Sequence, residues 1–438
     1  MSELIVFAWY LLPMALVWTG YTIIRRTREK RARETLERSL AAGLSQSASL
    51  HPIIDESLCL GCNACVKACP EGEIIGLVQG KAKLIEPANC IGHGACATAC
   101  PFNAITLVFG TEQRGIDIPV TTPAFETTQP GIYLAGELGG MGLVKNAIKQ
   151  GIAACEAIAQ SLTDESGIDG TSELYDVIII GAGPAGIAAA LSASEKALNY
   201  VVLEQDSLGG TVAHFPRRKL VMTEPAVLPL AGKMPFRETS KETLIEYWQD
   251  VAQTHRLRIE FGECVESIDR TDSFFTVTTS NNRWAARRVL LCLGRRGTPR
   301  KLEVPGEELS KVTYSLDAAE QYINQDVLVV GGGDSAIEAA ISLAEAGARA
   351  TLAYRGESFP RAKPANRKKL EICCQQHDLD ILFNTEVRQI EADRVQLSVN
   401  GEPRSIPNGA VIICAGGVLP VTFLEEAGVK FETKYGSA

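Results

Sequence analysis

The sequence lacks a basic surplus. Forty-three lysines and arginines stand against 52 acids, a formal net charge of −9. No basic stripe accompanies a recognition motif, so nucleic acid is excluded as a partner. No Ser/His/Asp or metal-hydrolase arrangement is present, which sets hydrolytic chemistry aside. The 13 cysteines are odd in number, and seven of them crowd between Cys59 and Cys100. A disulfide framework would be even and dispersed; this clustering points to metal ligation in a reducing compartment. Nothing basic except the terminal amine precedes the first apolar run. A cleaved signal peptide carries its charges first and is thereby disfavoured.

What is present begins with that run. Leu4 to Ile24 is apolar and uncharged, and at 1.5 Å per residue it spans about 31 Å, the length of one bilayer crossing. Arg25, Arg26, Arg28, Lys30, Arg31 and Arg33 follow directly. This charge edge predicts a single-pass helix in the inner (cytoplasmic) membrane, with everything after it in the cytoplasm. Residues 25–50 then read as a tether.

Two cysteine runs come next: Cys59-x2-Cys62-x2-Cys65-x3-Cys69-Pro70, and Cys90-x5-Cys96-x3-Cys100-Pro101. Soft thiolates at these spacings wrap iron–sulfur cubanes, and the last cysteine of each run serves the other cluster. Cys59, Cys62, Cys65 and Cys100 are therefore expected to hold one [4Fe-4S] cluster. Cys69, Cys90 and Cys96 hold a second. Zinc would not explain the repeated run with proline after its last cysteine.

The remainder is built around two glycine loops. In Tyr175 to Ala190, the apolar stretch Val177 to Ile180 reads as a buried strand. The turn Gly181-Ala182-Gly183-Pro184-Ala185-Gly186 follows, and then a helix. Gly181 permits the tight turn, Gly183 lets backbone approach a pyrophosphate, and Gly186 lets helix pack on strand. The helix N-terminus offers N–H groups to the phosphates, and Glu204, closing the next strand, is placed for a ribose hydroxyl pair. The second loop is Gly331-Gly332-Gly333-Asp334-Ser335-Ala336 after Val327 to Val330. Counting from the first glycine, Glu204 and Tyr354 stand at the same offset. The second loop thus lacks the ribose acid and has Tyr354-Arg355, with Arg361 and Lys363 close behind. Cations there favour the 2′-phosphate of NADP, with NADH as the alternative nucleotide.

Residues 52 to 108 resemble the bacterial two-cluster ferredoxins. They depart from them at His93, within Gly92-His93-Gly94, where that family has cysteine. Two outcomes stay open: imidazole ligates the fourth iron, or that iron is absent and the cluster is [3Fe-4S]. From Tyr175 to the end the chain resembles thioredoxin-reductase-like FAD and NAD(P)-dependent oxidoreductases. The resemblance implies two Rossmann-like domains, Gly209 and Gly210 near an isoalloxazine, and Glu338 as a nicotinamide neighbour in a catalytic role. It also admits a homodimer. Ala124 to Leu162 is similar to that family's closing segment, a strand into Gly136-Glu137 and then a helix beneath the flavin; the family usually has Asp where Glu137 stands. The segment precedes the first loop here, which implies a circular permutation.

The expected architecture is α/β. It comprises a transmembrane helix (1–24), a tether (25–50), a small α+β dicluster ferredoxin domain (51–110), a permuted FAD-domain segment (111–162), a linker (163–173), an FAD-binding domain (174–298), an NAD(P)H-binding domain (299–415) and a return to the FAD domain (416–438). Thioredoxin reductases place a C-x2-C pair before the second glycine strand, and glutathione-reductase-like enzymes place one after the ribose acid. Val312 to Asp326 and Gln205 to Phe215 contain no cysteine. The expected function is electron transfer between NADPH, FAD and the clusters, to or from a one-electron protein or quinone-linked partner. The alternatives are a redox sensor or assembly factor with the same cofactors, or a disulfide or peroxide reductase using Cys373-Cys374.

Overall fold

The computed structural model describes residues 2–41, 47, 50–111, 115–139, 142–163, 174–215, 217, 219–223, 225–271, 274–294, 298–359, 362–418 and 420–436. Arg361 and most of the expected linker, 164–173, lie outside the described residues. The chain divides into two compact units: Met1–Gly115 with Lys434–Ala438, and Ile116–Thr433.

The first unit opens with a helix that corrects the expected anchor. It runs without a break through Ser2–Ala41, with Pro13 inside it. Among the described residues no helix is long and apolar enough to cross a membrane, so the single-pass placement in the inner membrane is withdrawn. The charged half of the helix also packs. Ala32 is buried with Val78 and Ile85, and Leu36 packs beside them. Gly76 permits this approach, because a Cβ there would lie 2.7 Å from that of Ala32.

The rest of this unit is built from short pieces. Strand His51–Ile54 pairs antiparallel with Ile105–Val108. Strands Ile75–Val78 and Lys81–Leu84 form a hairpin whose turn residues, Gln79 and Gly80, both have positive φ; this backbone suits the right-handed twist of the paired strands. Two helical turns, Ala64–Ala68 and Ala95–Thr98, start from left-handed residues, Asn63 and Gly94. Each turn buries one cysteine, Cys65 or Cys96.

Among the described residues the second unit holds two sheets of five or more strands, besides smaller ones. The larger has seven strands, in the order Ile259–Phe261, Tyr200–Glu204, Leu174–Ile180, Arg283–Leu291, Phe275–Thr279, Val265–Arg270, with Ile132–Leu134 also paired to Arg283–Leu291. The strands around Leu174–Ile180 are parallel and carry near-continuous apolar side chains, as a sheet covered on both faces requires. Helix Pro184–Glu195 buries Ala185 through Ala193 against it. Helix Val144–Thr163 lies against that helix so closely that a Cβ on Gly151 would meet the Ala185 carbonyl oxygen at 2.1 Å. Leu424, Ala427 and Val429 return to the opposite face of the sheet, among Ile178, Ile180 and Val201.

The smaller sheet has five parallel strands, in the order Val312–Thr313, Ala410–Ile413, Asp326–Val330, Arg349–Ala353, Leu379–Leu382. Helices Asp334–Glu345 and Pro364–Gln376 cover it. Helix Lys241–Thr254 is capped by Ser240, whose hydroxyl accepts the Thr243 N–H.

Candidate functional site

The two glycine loops sit at matched places in their sheets. Gly181 N–H donates to the Leu203 carbonyl at 2.8 Å, and Gly331 N–H to the Ala353 carbonyl at 3.0 Å. Each loop thus leaves its strand beside the end of the next one. Gly181 has φ +104°, and a Cβ there would lie 2.6 Å from the Cys292 carbonyl oxygen; Gly331 has φ +150°, and its Cβ would lie 2.4 Å from that of Cys414. Only glycine fits either turn.

Beyond the turn the loops diverge. A Cβ on Gly186 would fall 1.9 Å from the Gly181 carbonyl oxygen, so helix Pro184–Glu195 comes as close to its strand as backbone permits. The second loop has Ala336 at this position, buried. Pro184 opens the first helix, where its missing N–H costs nothing. Gly183 has only Gly210 within reach of an added Cβ, at 3.9 Å, and Gly333 has nothing within 4 Å. These are the two points at which a pyrophosphate can come against bare backbone and a helix N-terminus. Asp334 and Ser335 open the second helix, Ser335 exposed.

The side chains at the shared offset also differ. Glu204 is 6% exposed; its Oε2 accepts the Ala182 N–H at 2.7 Å and its Oε1 the Asp206 N–H at 3.0 Å. A carboxylate has about four lone-pair sites, so the first bond ties Glu204 to the loop, the second to the backbone after its own strand, and capacity is left for ribose hydroxyls. Tyr354 instead lays its ring over Gly332, where a Cβ would meet ring carbons at 2.2–2.5 Å. The ring stacks on Phe359, with centroids 5.5 Å apart. Arg355 follows it, exposed, and Lys363 stands exposed before helix Pro364–Gln376.

Gly136 and Glu137 reach the first loop from the earlier segment. The Gly136 N–H donates to the buried Gln150 Oε1 at 2.8 Å, and a Cβ on Gly136 would lie 3.2 Å from that of Ala185. Glu137 begins a 3-10 turn, Glu137–Gly139. Gly209 and Gly210 both have positive φ, and Gly210 lies against Gly183.

Glu338, half-buried on helix Asp334–Glu345, is held by two residues that sequence reasoning missed. Lys219 Nζ donates to its Oε2 at 2.7 Å, and Asn366 Nδ2 to its Oε1 at 3.0 Å. The same Asn366 amide donates to Asp334 Oδ1 at 2.8 Å. No local signal marks Lys219, which is 119 positions away from Glu338.

In the first unit a pocket is lined by Cys59, Cys62, Cys65 and Cys100, together with Gly61, Asn63 and apolar walls that include Leu60, Ala82 and Phe102. The Ala82 and Ala104 N–H groups donate to the sulfurs of Cys59 and Cys100, each at 3.4 Å. Such bonds support thiolate charge and tune a cluster's potential. Burial pushes the Cys65 and Cys96 thiols up to about 11, so iron rather than bulk pH must draw off their protons. Cys59 and Cys62 add to the rise at Cys65, while Cys69 and Cys90 add to that at Cys96. The cysteines thus fall into two neighbourhoods. Among the described residues no group of three or more His, Cys, Asp or Glu suits one metal ion; a multi-iron body needs its thiolates spread wider than a single ion does. His93 Nε2 lies 3.4 Å from Glu71 Oε1.

Comparison with known proteins agrees with this division. The family model described as "Pyridine nucleotide-disulphide oxidoreductase" matches residues 178–437, and the one described as "4Fe-4S dicluster domain" matches 51–101. The chain is 27% identical to the bacilliredoxin reductase Bdr of Bacillus subtilis, over 59% of this chain and 82% of that one. It is 29% identical to a ferredoxin–NADP reductase of Thermus thermophilus, over 59% and 77%, and 32% identical to a thioredoxin reductase of Mycolicibacterium smegmatis, over 56% and 76%. Among solved structures, a bacillithiol disulfide reductase Bdr from Staphylococcus aureus superposes with a TM-score of 0.54 at 27% identity, covering 60% of this chain and 85% of that one. The reductase match begins beyond Ala124 to Leu162, so these comparisons do not support the expected permutation.

Proposed function

The chain belongs to the pyridine nucleotide-disulphide oxidoreductase family and carries a 4Fe-4S dicluster domain, and from this premise we propose that it moves electrons between NADPH, FAD and its own clusters, to or from a one-electron protein or quinone-linked partner. That it is an FAD-dependent NAD(P)H oxidoreductase follows from the family. The single observation that carries the finer reading is the pocket of four cysteines in the same chain as two nucleotide loops.

The residues fit the groups they would hold. Gly181, Gly183 and Gly186 clear the approach to the first helix, whose N-terminal N–H groups would bind the FAD pyrophosphate. Pro184, Ala185 and Gly210 border it, with Gly209 behind Gly210, and Glu204 would take the ribose. Gly136 and Glu137 would border the flavin's ribityl side. Gly331, Gly333, Asp334, Ser335 and Ala336 would form the NADPH cradle, and Arg355, together with Arg361, would meet the 2′-phosphate. Glu338 would orient the nicotinamide, itself aligned by Lys219 and Asn366. Cys59, Cys62, Cys65 and Cys100 would hold one cluster; Cys69, Cys90 and Cys96, with His93, the other. Bound FAD would accept a hydride's electron pair and release it singly, the form the clusters require.

The relatives' names divide between ferredoxin and disulfide substrates. Cys373 is buried in helix Pro364–Gln376, and burial raises both it and Cys374, which leaves little thiolate for disulfide exchange. This favours the electron-transfer reading over the disulfide one.

The permuted order is part of the proposal. Its support is that Ile132–Leu134 pairs parallel with Val289–Leu291 and that Gly136 and Gly151 lie against Ala185. A segment before the first loop thereby stands beside that loop's own strand and helix. Anaerobic titration of the full chain with NADPH, followed by optical and electron paramagnetic resonance spectra, tests the function. Bleaching of flavin absorbance together with cluster signals is expected; flavin reduction that never reaches the clusters would refute it.

A further inference from the structure

The second sulfur set leaves one corner to a residue other than cysteine. His93 stands between two glycines of positive φ, Gly92 at +79° and Gly94 at +76°. A Cβ on Gly92 would meet the Leu50 carbonyl oxygen at 2.8 Å, so the loop's path is fixed by backbone contact and the imidazole is carried on a rigid support. Its side chain is only 16% exposed, that of Glu71 25%. Glu71 lies two residues beyond Cys69, and its carboxylate oxygen is 3.4 Å from His93 Nε2. One carboxylate therefore stands beside the imidazole and two residues along the chain from Cys69.

We propose that Glu71 is the positioning residue that makes His93 the fourth ligand of the second cluster. The proposal rests on the cluster assignment above and extends it. A ligating imidazole gives one nitrogen to the metal and donates the N–H of the other to a second group, very often a carboxylate. Glu71 Oε1, 3.4 Å from Nε2, is the carboxylate within reach of that nitrogen; an Nε2–H bond to it on metal binding would fix the tautomer, hold the ring plane and raise its basicity. Neutral imidazole in place of a thiolate makes the cluster one charge less negative, which raises its potential. The Glu71 charge returns part of that difference through space.

The test uses the full chain, reconstituted anaerobically, and compares wild type with Glu71→Gln, Glu71→Asp, His93→Cys and His93→Ala. Iron and sulfide content, chelator challenge and potentiometric electron paramagnetic resonance are the readouts. Wild type and His93→Cys are expected to hold full iron for both clusters, and His93→Ala one iron less, with a three-iron signal when oxidised. Glu71→Gln should lose that iron about tenfold faster or more and shift the second cluster's potential upward, while Glu71→Asp recovers part of both effects. Bound FAD and the first cluster's signal report that each variant is folded. Wild type lacking one iron while His93→Cys is complete would overturn the proposal and leave the clusters standing, as would Glu71→Gln matching wild type in retention and potential. A chain that takes up no cluster in any variant removes the assignment and the proposal together.

Discussion

The two glycine loops of the second unit leave their strands at equivalent positions and carry unlike residues at equivalent offsets. In the first, a carboxylate on the neighbouring strand accepts the loop's Ala182 N–H, and the helix is drawn in until no Cβ fits at Gly186. In the second, Ala336 places a buried methyl at this position, and an aromatic ring rather than a charge covers the loop at Gly332. The first loop is a fixed cradle, suited to a cofactor that stays. The second offers stacking surface and exposed cations, suited to a nucleotide that comes and goes.

Substitution can break this comparison. The largest effect is expected at Gly186→Ala, whose new methyl would collide with the backbone at Gly181. A cost of about 3 kcal/mol or more and loss of bound flavin should follow, read from the flavin absorbance of the purified chain. Ala336→Gly, its counterpart, should leave NADPH binding within about twofold, at a helix-propensity cost of about 1 kcal/mol. Retention of full FAD by Gly186→Ala would end the contrast.

Glu204→Gln comes next. It turns one acceptor into a donor facing a loop N–H, a loss of about 1–3 kcal/mol. FAD titration of the apoprotein should show affinity reduced about tenfold or more. Gly332→Ala tests the aromatic side: the methyl must displace the Tyr354 ring, at about 1–2 kcal/mol. The double variant with Tyr354→Ala should recover most of the lost NADPH affinity, and a purely additive cycle would show that the ring does not set the loop.

Arg355→Ala should lower the preference for NADPH over NADH about tenfold by weakening 2′-phosphate contact, measured as a ratio of kcat/KM values. The smallest effect on stability is expected for Lys219→Met, at most ~1 kcal/mol because the pair is partly exposed. Its signature is kinetic: slower single-turnover flavin reduction with the NADPH Kd little changed, restored by Lys219→Arg.

Much of both sites was legible in the chain. Strand Asp326–Val330, its turn and its helix follow from an apolar run, three glycines and an amphipathic continuation. The grouping of Cys100 with the distant Cys59, Cys62 and Cys65 was legible because the motif occurs twice and its proline marks the end of each run. The packing of the charged half of helix Ser2–Ala41 had little local signature, because Ala32 and Leu36 are sparse apolar marks among charges, and the hairpin they cover lies far along the sequence. Glu71 beside His93, Lys219 on Glu338 and Tyr354 over Gly332 had no local signature.

What the sequence alone determined is whatever depends on spacing along the backbone: helix and strand periods, the turns that require glycine, the repeat of thiolates. Those features arise from sterics and ligand chemistry within a few residues, so a short window contains their cause. The tertiary structure decided which side chain stands at the far end of each contact. That choice depends on how distant segments pack to bury apolar surface, and a carboxylate, an amide or a ring is brought to its partner by that packing and not by its neighbours in the chain.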